Sequence, residues 1–165
     1  MTPDDKAFAE AVIGRLCVGA QIDGVRFGPV LQLLITDHAS GKPPLPGQVY
    51  LNLGSTWQLF SSRPSSFPEG EDALPDYEDE EALRILCDLR EAEVVDVALA
   101  DDAPDLILTL ADGRVFFLNG RHEQYETWQL GLAYGRPDET WLVVACPGNG
   151  VAVWAPNSFT SVPGQ

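Results

Sequence analysis

The sequence is poor in basic residues, in histidine and in long apolar runs. Ten Lys and Arg stand against 25 Asp and Glu, so the formal net charge is −15 at pH 7. Nucleic-acid binding needs cationic groups to neutralise phosphates, and anionic membrane surfaces also attract cations, so this balance argues against both partners. No charged leader with an apolar stretch opens the chain, and the apolar run 141–146 is far too short to span a bilayer. We therefore expect a cytoplasmic protein that binds neither nucleic acid nor membranes.

Cysteine and histidine are too few and too scattered to define a reactive centre. The three cysteines, Cys17, Cys87 and Cys146, are far apart and lie among apolar neighbours, which favours reduced core thiols. His38 and His122 lie in loop-like segments without a nucleophile motif, so we expect exposed loop histidines. No metal-ligand spacing is present, and no glycine-rich turn leads into a helix as phosphate binding requires. We expect no metal and no cofactor, and no residue set selects a reaction.

The strongest β-strand signal lies in residues 91–154. Runs rich in Val, Leu, Phe and Trp are separated by turn signals, of which Asp112-Gly113 and Gly148-Asn149-Gly150 are the clearest. These runs predict an antiparallel meander. The tryptophans lie within such runs, and we expect core or near-core positions for Trp57, Trp128, Trp141 and Trp154.

The first 60 residues predict a helix followed by strands. Thr2-Pro3-Asp4-Asp5 is typical of a capped helix start, and apolar residues at helical spacing extend the helix to about Leu16. Strand-like runs follow at residues 20–27, 30–36 and 48–60, with Gly and Pro between them. They predict a three- or four-stranded meander.

A change of composition separates the two halves of the chain. Residues 61–75 are rich in proline, serine and acid and have no period, so they predict a linker or a long excursion. We expect Asp76 to cap a second helix over residues 77–89, whose acidic first turn suits the helix dipole. The tail after Trp154 contains prolines and no period, which predicts an irregular cap or a frayed end.

The halves, residues 2–60 and 76–154, repeat the order of a helix, a strand, a turn and a strand. Matching stretches are Leu16-Cys17 with Leu86-Cys87, Val25 and Phe27 with Val97 and Leu99, QLLIT with LILTL, and QVYLNL with RVFFLNG. We therefore predict one α+β domain over residues 1–165, with two helices, antiparallel meander sheets and an internal duplication of an αβββ unit. The alternative is that any two helix-plus-meander segments align this well.

Residues 69–81, here named the acidic segment, are the strongest pointer to function. Eight of the thirteen are Asp or Glu, and the apolar residues Phe67, Leu74 and Tyr77 are interleaved or adjacent. A negative field that speeds association, with aromatic anchors that add affinity, suits capture of a basic protein. The alternative is a solvated linker followed by helix N-terminal acids. The candidate contact residues, including an acidic turn at 101–105, are Asp72, Asp76, Tyr77, Glu78, Asp79, Glu80, Glu81, Asp101, Asp102 and Asp105.

Residues 89–154 also carry a set of structural motifs. They are Asp112-Gly113, Tyr125-Glu126-Thr127-Trp128-Gln129-Leu130, Pro147-Gly148-Asn149-Gly150 and Val153-Trp154. This pattern resembles a family of small uncharacterised bacterial proteins, which are similar to immunity proteins that neutralise toxins. The resemblance implies an inhibitor that covers the active site of a cationic toxin domain. It rests on turns and core aromatics, so it implies no catalytic residues.

Two other classes of function compete with this one. A small-molecule-binding or catalytic domain would have a pocket between the two halves, lined by His122, Glu126 and Trp128. A structural or assembly subunit is the third class. Convergence of those three side chains in a deep pocket favours the first alternative, and a flat acidic face favours the inhibitor.

Overall fold

The computed structural model describes residues 1–38, 41–134 and 139–160. Within these ranges the helices are α1 (Pro3–Cys17), α2 (Asp79–Cys87) and α3 (Asn157–Thr160), and one 3₁₀ turn covers Glu71–Ala73. The strands are β1 (Gln21–Arg26), β2 (Gln32–Thr36), β3 (Gln48–Leu53), β4 (Trp57–Phe60), β5 (Val94–Leu99), β6 (Leu106–Leu110), β7 (Val115–Leu118), β8 (Trp128–Ala133), β9 (Leu142–Cys146) and β10 (Gly150–Trp154). The predicted α+β class with antiparallel meanders is confirmed.

The strands form two antiparallel sheets. One has six strands in the order β1-β2-β3-β8-β9-β10, and the other has four in the order β4-β7-β6-β5. The prediction of a single meander over residues 91–154 is therefore wrong, because β5 to β7 and β8 to β10 belong to different sheets. The reason is long-range: β8 pairs with β3 from the first half, and a strand pattern does not specify its partner.

Helix α1 follows the predicted capping chemistry. Thr2 and Asp5 form a reciprocal capping box, with the Asp5 amide donating to Thr2 Oγ1 at 3.2 Å and the Thr2 amide donating to Asp5 at 3.1 Å. The inner face of α1 is buried in the main core through Ala9, Val12, Ile13, Leu16 and Cys17. This face lies against β5, β9 and β10, so α1 joins the two sheets.

Helix α2 begins later than predicted. Its N-cap is Glu78, with extended φ and ψ of −62° and 149°, and Asp76 does not cap the helix. The ring of Tyr77 packs on Trp57 at a centroid distance of 4.8 Å, which keeps the chain extended up to Glu78. The acidic first turn of α2 nevertheless lies at the positive end of the helix dipole, as expected.

Residues 61–75 are a packed excursion and not a free linker. Leu74 forms a small apolar cluster with Ile107, Val115 and Phe117 of the four-stranded sheet, and Phe67 packs against it. These residues alternate with the β6 and β7 residues that face the main core, so the cluster lies on the opposite face of that sheet. The excursion therefore covers a face that would otherwise expose apolar side chains.

The order of elements repeats, with one exchange. Helix α1 is followed by the meander β1-β2-β3, and α2 by the meander β5-β6-β7. The next strand of each half crosses to the other sheet: β4 pairs with β7, and β8 pairs with β3. A bulge interrupts β1 at Ile22/Gly24 and β5 at Val94/Asp96, at equivalent positions of the two ladders.

The two halves meet through equivalent hydrogen bonds. The Val94 amide donates to the Ala20 carbonyl and the Ile22 amide donates to the Ala92 carbonyl, both at 2.9 Å. The Ala20 amide donates to Cys17 and the Ala92 amide to Leu89, so Cys17 corresponds to Leu89. The predicted match of Leu16-Cys17 with Leu86-Cys87 is therefore out of register. Such a repeat is what an internal duplication would produce, and the duplication itself stays a hypothesis.

Two expectations near the C-terminus need correction. Trp154 is 49% exposed, since it ends the edge strand β10, and it is not a core residue. The tail forms the short helix α3, whose Phe159 packs on Phe8 and Trp141 at centroid distances of 6.3 Å and 5.1 Å. Residues 161–165 lie outside the described residues.

Candidate functional site

The acidic segment lies on the surface as a fixed element. All eight of its Asp and Glu residues are exposed. Its shape is set by the 3₁₀ turn Glu71–Ala73, the buried Leu74 and the first turn of α2. The Ser55 hydroxyl donates to Glu71 Oε1 at 3.1 Å and ties the turn to the connection between β3 and β4. The segment therefore presents its carboxylates on an ordered backbone.

The apolar residues expected to contact a partner are used internally. Phe67 stacks on Phe117 at 5.3 Å between ring centroids, and Leu74 is buried beside the same ring. The ring of Tyr77 packs on Trp57 and is half-buried; burial, together with the Glu81 charge, raises the pKa of its hydroxyl. These three side chains hold the acidic segment on the protein, and Phe67 and Leu74 leave the contact surface to the carboxylates and Tyr77.

The acidic turn at residues 101–105 is engaged in internal ion pairs. Lys6 Nζ lies 2.5 Å from Asp101 Oδ1, and Arg121 Nη2 lies 2.8 Å from Asp102 Oδ1. Asp105 is buried, accepts the Gly120 amide at 2.8 Å and pairs with Arg121 Nε at 2.9 Å. Asp105 is therefore a structural residue that lies beneath the surface, and the expectation that it contacts a partner is not met.

Opposite pKa shifts mark the two carboxylates around Arg121. The hydrogen bond from Arg121 lowers the pKa of Asp102. Burial raises the pKa of Asp105 and outweighs the Gly120 amide and the Arg121 guanidinium. The pKa of Arg121 is raised by its bond to Asp102, so the cation is held in its charged state. The group works as a clamp between the β5–β6 loop and the segment after β7.

Trp128 lies buried in the core beneath the β5–β6 loop. It is 1% exposed, and its indole N–H donates to the Pro104 carbonyl at 2.8 Å. A Cβ on Gly120 would lie 2.1 Å from that carbonyl oxygen, so only glycine permits this close approach. The β5–β6 loop thus fills the space beside Trp128.

A cavity of about 330 Å³ opens beside Trp57, which is also buried. Its apolar wall includes Leu31, Leu53 and the ring of Tyr77. The rim carries carboxylates of the acidic segment, namely Glu71, Asp76 and Asp79. This cavity was missed in the sequence, because its walls come from three separate stretches of chain.

A second, larger cavity of about 630 Å³ also has Glu71 in its lining. Asp72, Glu123 and Arg121 line it together with His122. His122 Nδ1 accepts the amides of Gln124 and Tyr125 at 3.0 Å, so its orientation is fixed. The acidic segment therefore borders both cavities, which share Glu71.

The three residues of the alternative pocket do not converge. His122 lines the cavity of about 630 Å³, while Trp128 is buried behind the β5–β6 loop. Glu126 is exposed and accepts a hydrogen bond from Gln129 at 2.6 Å. The pocket predicted from His122, Glu126 and Trp128 is not what the structure shows. His38 lies at a third cavity, of about 390 Å³, and 3.0 Å from Asp23.

The cysteines differ in their environments. Cys17 is buried and burial raises its pKa to about 12, in agreement with a core thiol. Cys146 is half-buried and Cys87 is exposed, so the expectation of a core position is wrong for Cys87. Among the residues that the structure describes, no three His, Cys, Asp or Glu side chains are grouped in a way that could hold a metal ion.

Comparison of the chain with protein-family models, with curated proteins and with solved structures finds no match. In the described part of the chain, no helix combines the length and the apolar character needed to cross a membrane. What can be stated of the class is therefore the fold: an α+β protein of two antiparallel sheets that carries an ordered acidic surface beside two cavities.

Proposed function

We propose that this protein binds a basic protein partner and acts as an immunity-type inhibitor that covers the active site of a cationic bacterial toxin domain. The observation that carries the proposal is the set of eight exposed carboxylates on an ordered segment. Among the described residues, Glu80 is the one member of the set that forms an ion pair with a basic residue, Arg84, at 2.9 Å. The other seven carboxylates form no ion pair with a described basic residue, and Glu71 accepts a hydrogen bond from Ser55.

The physical basis is long-range attraction followed by contact on a preformed surface. A net charge of −15 and a local concentration of carboxylates produce a negative potential that speeds encounter with a basic protein. Because Phe67, Leu74 and Tyr77 already hold the backbone, binding would not have to order the segment. The partner's toxin class is supported by the resemblance of residues 89–154 to immunity-like proteins, and its basic character by this charge.

The first experiment is capture of partners by the tagged protein from lysate of its own source organism, at low and at raised salt. We expect one basic partner, bound in stoichiometric amount and lost as salt rises, because ionic screening weakens surface charge pairs. The protein should then inhibit the purified partner's activity. A stoichiometric partner that is acidic, or one whose activity is unaffected, would refute the inhibitor function.

Charge reversal tests whether the acidic segment is the surface used. Replacing Glu78, Asp79, Glu80 and Glu81 by Lys should slow association with that partner by about tenfold or more and reduce its salt dependence. Association rates at several salt concentrations are the measurement.

The matched control reverses four exposed acids elsewhere, Asp4, Glu91, Glu93 and Asp96, which changes the net charge equally. Circular dichroism checks that both variants fold. If the two variants slow association to the same extent, the acidic segment is not the contact surface, and net charge alone explains the rate.

A further inference from the structure

The two halves of the chain each contribute a tryptophan at one structural position. The tetrapeptide Thr-Trp-Gln-Leu occurs at residues 56–59 and again at residues 127–130. Trp57 begins β4 and lies opposite Leu118 at the end of β7, and Trp128 begins β8 and lies opposite Leu53 at the end of β3. The same side chain is therefore present twice, in equivalent ladders.

The surroundings of the two indole N–H groups differ. Trp128 donates to the Pro104 carbonyl, which belongs to the loop of residues 100–105 between β5 and β6. The equivalent loop between β1 and β2 covers residues 27–31. It is one residue shorter than the β5–β6 loop, counted between the last paired residues of each pair of strands. Trp57 is only 7% exposed, yet its indole N–H makes no hydrogen bond with any of the described residues. The Trp57 indole nitrogen is not one of the fully buried atoms that lack a partner, so this donor is open to water or to a ligand.

Trp57 lines the cavity of about 330 Å³. Thr56, which lines the same cavity, has a buried hydroxyl without a hydrogen-bond partner in the described structure, but so does the equivalent Thr127, so the threonines do not distinguish the two halves. Glu71, Asp76 and Asp79 line the cavity together with the apolar residues Leu31, Leu53 and Ala82. A ligand that satisfies this site has a hydrogen-bond acceptor, an apolar stem and a cationic end.

In the second half of the chain, the equivalent tryptophan and nearby carboxylates are paired with groups of the protein itself. There, a backbone carbonyl at Pro104 meets the Trp128 indole, and a guanidinium, from Arg121, meets the carboxylates of Asp102 and Asp105. The planar guanidinium forms two hydrogen bonds with carboxylates and stacks on aromatic rings, which a lysine ammonium does not do equally.

We infer that the cavity beside Trp57 is an anchor pocket for an arginine residue of the basic partner. The arginine's backbone carbonyl accepts the Trp57 indole N–H, its methylene stem lies on the apolar wall, and its guanidinium pairs with the rim carboxylates. This inference rests on the proposed function and names the residue type that the acidic segment captures.

The test uses Nα-acetyl-L-arginine amide as a probe, with Nα-acetyl-L-citrulline amide as its neutral counterpart of the same shape. Titration is followed through the tryptophan indole N–H signals in nitrogen-15 correlation spectra. The Trp57 signal is assigned from its contacts with the Tyr77 and Phe116 rings. We expect this signal to shift in a saturable way with the arginine probe, and about tenfold more weakly with citrulline, because the charge is lost. The Trp128 signal should stay in place, since its acceptor is Pro104.

Paired variants separate the pocket from general attraction. Asp76→Asn with Asp79→Asn should weaken binding of the arginine probe by about tenfold. Glu69→Gln with Glu80→Gln removes the same charge at two exposed residues that do not line the cavity, and it should change binding by less than about twofold. An unmoved Trp57 signal, equal binding of the citrulline probe, or equal effects of the two variant pairs would each overturn the inference.

The two proposals fail in distinguishable ways. Suppose that a captured basic partner binds the Asp76→Asn/Asp79→Asn variant as well as the wild type, but associates slowly with the variant whose acidic segment is charge-reversed. That result would refute the arginine pocket and would leave the inhibitor function supported. Binding of the arginine probe by a protein for which no basic partner is found would support the pocket and count against the inhibitor.

Discussion

At the scale of single residues, the chain uses one side-chain type for two purposes. Trp128 is enclosed and fully bonded, and it fixes the β5–β6 loop through Pro104. Trp57 is nearly as buried, but it faces a cavity bordered by acids. The difference lies in the loop that reaches each indole and not in the tryptophan itself, so the structural role belongs to Trp128 and the ligand role to Trp57.

Truncation of Trp128 should be strongly destabilising. Trp128→Ala removes a ring that is 1% exposed and leaves the Pro104 carbonyl without its donor, so we expect unfolding free energy to fall by about 3–5 kcal/mol. Urea denaturation is the measurement. Trp154→Ala is the control, because that ring is 49% exposed, and its effect should be much smaller. Similar losses for both variants would contradict the assignment of Trp128 to the core.

The carboxylates around Arg121 should give opposite dependences of stability on pH. The pKa of Asp102 lies below its ordinary 3.8, so its contribution is present above that value and is lost as pH falls through the folded-state pKa. The pKa of Asp105 is raised by burial, so its contribution is present below 3.8 and is lost as pH rises through the folded-state pKa.

Two substitutions check these signs through urea denaturation between about pH 3 and pH 6. Asp102→Asn should flatten the loss of stability on acidification, and Asp105→Asn should remove a decline that accompanies rising pH above 3.8. Parallel curves for the wild type and Asp105→Asn would show that burial does not shift the pKa of this carboxyl.

At the scale of elements, both helices pass into their first strands through the same backbone conformation. Gly19 and Glu91 have positive φ angles of 80° and 69°, and their amides donate to Val94 and Ile22 at the same distance of 2.8 Å. Glycine adopts this left-handed conformation without strain, whereas a residue with a Cβ does not. The second half thus carries strain that the first half avoids.

Replacing that residue should stabilise the protein. Glu91→Gly should raise the unfolding free energy by about 0.5–1 kcal/mol, since relief of strain exceeds the added freedom of the unfolded chain. The ion pair with Arg90 at 3.7 Å is exposed and contributes little. Gly19→Ala is the reciprocal control and should destabilise. Thermal and urea denaturation measure the change in stability. If Glu91→Gly is less stable than the wild type, the glutamate side chain makes a stabilising contact.

At the scale of the whole molecule, the halves are joined by exchange of strands. β4 joins the sheet of the second meander, and β8, followed by β9 and β10, joins the sheet of the first, so neither half keeps all its strands in one sheet. The main core also takes residues from both halves, such as Leu16, Leu51, Leu108 and Phe116. Separation of the halves would expose sheet edges and core together.

The halves should therefore remain associated after the backbone is cut. A protease site inserted between Ser65 and Ser66, which are exposed, would cleave the excursion before Phe67. We expect the fragments to elute together from a sizing column, at the volume of the intact protein, and to separate only in denaturant. Separate elution without denaturant would contradict the strand exchange.

Local features of the fold were predictable to the extent that local chemistry sets them. Helix α1, the Asp112-Gly113 turn and the β9–β10 turn at Gly148 and Asn149, both with positive φ, follow from capping and turn residues. The start of α2 was misplaced because the ring of Tyr77 packs on Trp57, a contact distant in sequence. The surface acids were predictable from charge, while burial of Asp105 depends on Arg121 and Gly120.

The sequence alone determined the α+β class, the strand signals, the acidity and the position of the acidic segment, because these depend on composition and on short-range periodicity. Even the repeated Thr-Trp-Gln-Leu was visible in it. Only the tertiary structure decided which sheet each strand joins, which acids are internal, and that Trp57 lines a cavity while the Trp128 indole donates to Pro104. Those outcomes depend on pairing and loop contacts between residues far apart in the chain, which a strand pattern leaves open.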